Sequence, residues 1–104
     1  MAQFDVYANP NPATKRAIPY LLDIQADLLN SLTTRVVVPL YTVSAMGKAA
    51  KHLNIKFTVK RSSVIMSTAE LAGVAAKSLG EKVCSLKEYR NEIIAAIDFL
   101  VTGF

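Results

Sequence analysis

The chain has a single cysteine, Cys84, so no disulfide can form within it. A reducing cytoplasm is the compartment this suggests. Just ahead of a helix start, Cys84 reads as a small buried hydrophobe before it reads as a nucleophile. Histidine also occurs once, as His52, beside Lys51 at the entrance to a strand pattern. One His and one Cys fall short of the three or four ligands that zinc needs, so no metal site is expected. No Ser/His/Asp set can be assembled, and the glycines do not form a phosphate-binding loop, so neither a catalytic residue nor a cofactor is indicated. The N-terminus has no basic segment leading into an apolar run, so no signal peptide is expected. No apolar stretch approaches the ~20 residues that cross a bilayer, so no membrane role is expected. Acidic residues are missing from Leu28 to Ala69, whereas Arg35, Lys48, Lys51, Lys56, Lys60 and Arg61 all fall there. That distribution fits either a patch for RNA, DNA or an acidic partner, or a solvated face balanced by acids elsewhere. Tyr41 is the one obvious aromatic nearby for base stacking.

What is present is a short, apolar, mildly basic chain. Its 104 residues are 52% hydrophobic and 19% charged, with a net charge of +4. One folded domain spanning residues 1–104 is expected. A chain this short exposes much of its surface, and oligomerisation is a common remedy. The net charge allows an acidic or nucleic-acid partner without demanding one.

The clearest pattern is the last twenty residues, Ser85 to Phe104. Ser85 and Glu88 have capping-box spacing. Leu86, Tyr89, Ile93, Ile97 and Leu100 recur at helical steps, and Gly103 reads as the stop. The spacing predicts a helix of about four turns. Its apolar arc also takes in Ala96, Val101 and Ile94, with Phe99 outside, and is wider than the ~100° a surface helix needs. The helix either sits deep in its own core or packs on that core and on a second chain.

Upstream, the pattern is mostly β. Gln3 to Ala8 alternates, and Pro10 and Pro12 mark a loop. A strand is predicted over Ile18 to Ile24, with Pro19 near its start. Asp23 to Leu32 has no clean period and reads as a bend. Adjacent Leu28 and Leu29 cannot both face one core, so at least one is expected at the surface or an interface. Arg35 to Tyr41 is a continuous β-branched strand in which Pro39 implies a bulge or an end. Thr42 to Lys51 reads as a loop or one short helical turn around Gly47. Leu53 to Lys60 alternates strictly, with Leu53, Ile55, Phe57 and Val59 inward. Val64 to Thr68 returns as a hairpin arm across Arg61, Ser62 and Ser63. Ala69 to Leu79 fits strand or helix. Gly80 and Glu81 form a turn, and Lys82 to Cys84 leads to the helix. The sum is mainly β with a C-terminal α-helix: about five strands in a small antiparallel barrel-like wrap.

Two stretches, LLDIQADLLNSLTTRVVVPL at Leu21 to Leu40 and RNEIIAAIDFLVTGF at Arg90 to Phe104, resemble the CcdB family of toxins from plasmid and chromosomal toxin–antitoxin modules. The opening Gln3-Phe4-x-Val6-Tyr7 and the spacing Asp23-x-Gln25-x-Asp27 followed by two aliphatics carry the same resemblance. It implies an SH3-like barrel shared with MazF, working as a bacterial cytoplasmic homodimer through paired terminal helices, here Ile93, Ile97 and Leu100. It further implies binding to the A subunit of DNA gyrase and trapping of gyrase on cleaved DNA, with no enzymatic step of its own. A CcdA-like antitoxin would neutralise the toxin, and the pair would repress its own operon in a plasmid-maintenance module, touching operator DNA only through the antitoxin. Carried over residue by residue, the gyrase contacts fall on Leu28, Leu29, Asp98, Val101, Thr102, Gly103 and Phe104. The best-known member has a Trp and an Asn where this chain has Thr102 and Asp98, so the anchor is altered. The family's central-strand Pro is replaced by Ile55. The alternatives are an endoribonuclease of the MazF/Kid kind, which shares the fold, and a non-toxic homologue that still binds antitoxin.

Overall fold

The computed structural model describes residues 1–47 and 53–103. Lys48, Lys51, His52 and Phe104 lie outside them. Among the described residues, seven strands form one antiparallel sheet: β1 (Asp5–Ala8), β2 (Tyr20–Asp23), β3 (Thr34–Thr42), β4 (Lys56–Val59), β5 (Ser62–Met66), β6 (Ala72–Ala75) and β7 (Lys82–Ser85). The order is β4-β5-β3-β2-β1-β7, with β6 also pairing with β3. One short helical turn, α1 (Val43–Met46), follows β3, and α2 (Arg90–Thr102) closes the chain. The fold is therefore the expected antiparallel wrap with a terminal helix, but with seven strands in place of about five.

The core forms because strand alternation puts Val6, Leu22, Val38, Leu40, Phe57, Val59, Val64 and Met66 into one apolar cluster, which Leu86, Ile93 and Ala96 complete. Phe57 and Val59 are buried as their alternation predicts, while Leu53 and Ile55 are only partly so. The pairing of β4 with β5 reaches back to Ile55, whose carbonyl accepts from Met66 N–H, but ahead of it the Leu53 carbonyl leaves the ladder and accepts from the Thr68 hydroxyl.

Pro39 neither bulges nor ends β3. On one flank β3 pairs with β2 over Val37–Leu40; on the other it pairs with β6 over Thr34–Val37 and with β5 over Leu40–Thr42. The Pro39 carbonyl accepts from Ser67 N–H, which puts its backbone groups on that second flank, between the two partners. Proline is tolerated there because it stands just beyond the paired residues Leu40–Thr42, where its missing N–H costs at most one bond at the end of the β5 ladder.

The N-terminal strand begins two residues later than its alternation suggests. Phe4 is buried at φ +71, its N–H donating to the Asp23 carbonyl and its own carbonyl accepting from Leu86 N–H. This left-handed residue, unusual for an aromatic, joins β2 to the start of the terminal segment.

The capping box does not form. Ser85 ends β7, and its hydroxyl accepts from Lys87 N–H at 3.2 Å. Leu86 N–H is committed to Phe4, so the chain first makes a 3-10 turn over Lys87–Tyr89 and becomes α-helical only at Arg90. Tyr89 stays useful there, its ring 5.3 Å from that of Phe57.

Candidate functional site

The segment between β2 and β3 displays apolar side chains in water. Asp27–Leu29 is a single 3-10 turn with nothing buried. Leu28 is 96% exposed, and Leu29 and Leu32 are about half exposed. The awkward Leu pair read from the sequence is therefore a surface feature. The turn is held from beneath. Gln3 N–H donates to Asp27 Oδ1 at 2.8 Å, and Gln25 Nε2 donates to the Leu29 carbonyl at 2.9 Å. Gln25 Oε1 also accepts from Val36 N–H at 3.0 Å, extending β3's pairing with a side chain.

Behind the turn lies a buried ion pair. Arg35 Nε donates to Asp23 Oδ2 at 2.8 Å, and Nη2 sits 2.6 Å from the same oxygen as a charge contact rather than a well-directed hydrogen bond. Nη1 donates to Asn30 Oδ1 at 2.6 Å, and Asp23 Oδ1 accepts from Gln25 N–H at 3.0 Å. Both charged side chains are sealed from solvent. Burial raises the Asp23 carboxyl above its usual range, while the Gln25 N–H and Arg35 work against that shift. Arg35 thus leaves the basic patch in which its position in the sequence suggested it belonged. Gln25, Asn30 and Arg35 are positioning residues for the Leu28 turn. The Asp23-x-Gln25-x-Asp27 spacing contains Gln25 without showing its role, and nothing in the sequence singles out Asn30.

A second polar group adjoins it. The buried Tyr7 hydroxyl donates to Asp5 Oδ2 at 3.3 Å, and Lys82 approaches Asp5 Oδ1 at 3.4 Å. Burial, then the Asp5 and Asp23 charges, push the Tyr7 phenol up to about 12. A phenol whose ionisation is suppressed only in the fold supports stability below its unfolded value near 10, and that support is lost as pH rises from there toward 12. Tyr7→Phe is therefore expected to flatten the loss of thermal stability across this alkaline window, followed by melting curves from about pH 9 to 11.5. An unchanged slope would show that Tyr7 does not carry it.

The last turn of α2 is the other displayed surface. Val101 is 75% exposed, Asp98, Leu100 and Thr102 are also exposed, and Gly103 ends the helix at φ +79 with its N–H on the Phe99 carbonyl at 2.9 Å. This is a left-handed C-cap, which glycine adopts without strain. The Thr102 hydroxyl bonds back to the Asp98 carbonyl at 2.7 Å, so it serves its own helix. Asp98, Val101, Thr102 and Gly103 are thus brought together, and Leu28 and Leu29 form a second set on another element. The elements α2 packs on most are the 3-10 turns at Thr68–Glu70 and Lys87–Tyr89. Of the three residues expected at a helix–helix contact, Ile93 is fully enclosed in the chain's own core, Ile97 is half-buried and Leu100 is exposed.

The groups considered for chemistry are modest. Cys84 is half-buried, and burial followed by Asp5 pushes its thiol up against the opposing pull of Lys82 and Lys60. The Tyr41 hydroxyl donates to Glu70 at 2.9 Å, which puts a carboxylate beside the one aromatic considered for base stacking. Among the described residues, no group of three or more His, Cys, Asp or Glu is placed to hold a metal ion. Also among them, no helix is long and apolar enough to cross a membrane.

The sequence pattern of the CcdB protein family matches residues 3–103, almost the whole chain. The protein belongs to the CcdB family. It is thereby grouped with the toxins of toxin–antitoxin modules. Solved structures share the fold. One, described as an endoribonuclease in complex with its cognate antitoxin from a mycobacterial species, superposes with a TM-score of 0.76 at 12% identity, covering 97% of this chain and 94% of that one. Another, a mycobacterial endoribonuclease, gives 0.71 at 14% identity, covering 97% and 90%. At such low identity the likeness concerns the fold alone. The CcdB chain therefore has a scaffold that proteins described as endoribonucleases also use.

Proposed function

We propose that this CcdB-family protein acts by binding, not by chemistry: as a single-domain toxin that engages the A subunit of DNA gyrase and traps the gyrase–DNA complex in its cleaved state. The observation that carries this reading is Leu28, almost wholly exposed on a turn braced by buried polar groups. An apolar side chain held rigidly in water is costly to a monomer and useful to an interface. Val101 and the glycine-capped end of α2 supply the second contact, with Asp98 and Thr102 beside it and Phe104 next in sequence. A ligand shifts an equilibrium only by its preference for one state, here the open, cleaved one. The active form is a homodimer in the bacterial cytoplasm, with Ile97 and Leu100 providing the helix contact that Ile93 has no surface left to make. A CcdA-like antitoxin neutralises it, in keeping with the antitoxin bound in one structure of the same fold. The pair represses its own operon through the antitoxin, as a plasmid-maintenance module.

The second reading, an endoribonuclease, is favoured by the descriptions of the structures that share the fold. Against it, the arginine and carboxylate that the fold brings together, Arg35 and Asp23, are sealed from any substrate. The deciding experiment incubates purified protein with bacterial gyrase and supercoiled plasmid, then denatures and scores linear DNA. Linear DNA in proportion to protein is expected. Absence of trapping together with cleavage of a labelled RNA would replace this reading with the second; absence of both, with antitoxin still bound, would mean a non-toxic homologue.

A further inference from the structure

Strands β4 and β5 are joined by only two residues, Lys60 and Arg61, between the paired Val59 and Ser62. Both have positive φ, +47 and +67. This is the type I′ hairpin turn, whose two central positions favour Asn-Gly because side chains are strained there. The chain instead places two long cations at these positions, both exposed. Strain held at an exposed position is a pointer to function. The rest of the prong agrees. Lys56 and Thr58 face solvent along β4, and Ser63, paired with Thr58, faces it along β5. No acidic residue occurs between Leu28 and Ala69. Among the described residues, the ion pairs formed are Arg35–Asp23 and Lys82–Asp5, so Lys56, Lys60 and Arg61 have no carboxylate partner.

We infer that the β4–β5 hairpin is a contact for the phosphodiester backbone of a nucleic acid, made by Lys56, Lys60 and Arg61 with the hydroxyls of Thr58 and Ser63. Cations and hydroxyls are the groups that bind phosphate oxygens, and a two-stranded ribbon is narrow enough to follow a groove. A protein-binding surface would display apolar or aromatic anchors; the outward positions of this prong carry none. The contact is direct and independent of the gyrase reading, and it differs from the antitoxin-mediated DNA contact implied by family resemblance.

The test is fluorescence anisotropy of a labelled DNA duplex of about 20 base pairs and a labelled single-stranded RNA, titrated with the full chain at roughly 50 to 200 mM salt. Polyglutamate serves as a competitor standing for an acidic protein. The informative variant is Lys60→Asn with Arg61→Gly, which installs the relaxed turn and removes both cations. Its melting temperature is expected to rise by roughly 4–8 °C, the shift for a kcal/mol-scale gain in a chain this size. Its log–log salt slope is expected to fall by about 2, one phosphate contact per cation. Lys56→Gln, which leaves the turn untouched, is expected to lower the slope by about 1. Displacement of either nucleic acid only by large excesses of polyglutamate supports the proposal, and the duplex and RNA arms decide the source of the backbone. Unchanged slopes in both variants would overturn it. Efficient displacement by polyglutamate would also overturn it, in favour of an acidic protein partner.

Discussion

Arg35→Ala is expected to leave the chain barely folded. The substitution strands Asp23 in a site with no access to water. Removing one partner of a buried pair costs about 3–5 kcal/mol, chiefly because the remaining charge is uncompensated. A domain of this size has roughly 5–15 kcal/mol in total, so between about a fifth and all of the stability goes at once. Nearly complete burial on both sides means solvent screening does not reduce the figure. Urea unfolding gives the value directly, and a loss below about 1 kcal/mol would refute the account. The pH dependence gives a second readout. With Arg35 gone, the Asp23 carboxyl is held higher still above its ordinary 3.8, since desolvation then acts with less opposition. A raised folded-state value means the support is present below the unfolded one and lost as pH rises through the folded one. The deficit of Arg35→Ala should therefore shrink as pH falls toward about 4. A double change to apolar residues, Asp23→Leu with Arg35→Met, should recover much of the loss, because neither charge is then stranded.

The same pair explains where the sequence misleads. Arg35 lies in an acid-free stretch and reads as surface charge; its partner is twelve residues away on the neighbouring strand, and only the β2–β3 register makes them neighbours. Nothing local marks that. By contrast, Phe57 and Val59 were legible because alternation is a local property that one buried face enforces. Strand β6 was not, because Ala72, Gly73 and Ala75 carry almost no side-chain signal and the strand exists through its backbone pairing with Thr34–Val37. The extent of α2 was legible at its end, where Gly103 takes the left-handed cap, and not at its start. Ser85 and Glu88 have the right spacing for a box, but the Leu86 N–H is claimed by Phe4, a residue far earlier in the chain. The displayed turn divides in the same way. Side-by-side leucines advertise exposure, whereas the contacts that hold them, Gln25 to the Leu29 carbonyl and Arg35 to Asn30, are close in sequence but leave no periodic pattern to read.

Val101→Asp is expected to abolish gyrase trapping while the protein stays as stable as before. Val101 is three-quarters exposed, so little core contact is lost and the stability change should lie within about 0.5 kcal/mol. In a complex the same position would be desolvated. A charge placed there costs the interface about 2 kcal/mol or more if Val101 is one of its anchors, roughly a thirtyfold loss of affinity. Leu28→Asp tests the other displayed surface by the same logic, with the added feature that its turn is pinned by Gln25 and Asn30 and should not rearrange. Gly103→Glu adds a charge where nothing lies within 4 Å of the new Cβ, at the expense of an unfavourable backbone at φ +79. That strain is about 1–2 kcal/mol, which urea unfolding can subtract. Growth of cells expressing each variant without antitoxin, read beside melting curves and antitoxin binding of the pure proteins, separates a lost target contact from a lost fold. If Val101→Asp and Leu28→Asp both remain fully toxic, neither displayed surface is the gyrase contact. The Thr102 and Asp98 changes at the chain end would then mark a different target, not a weaker grip on the same one.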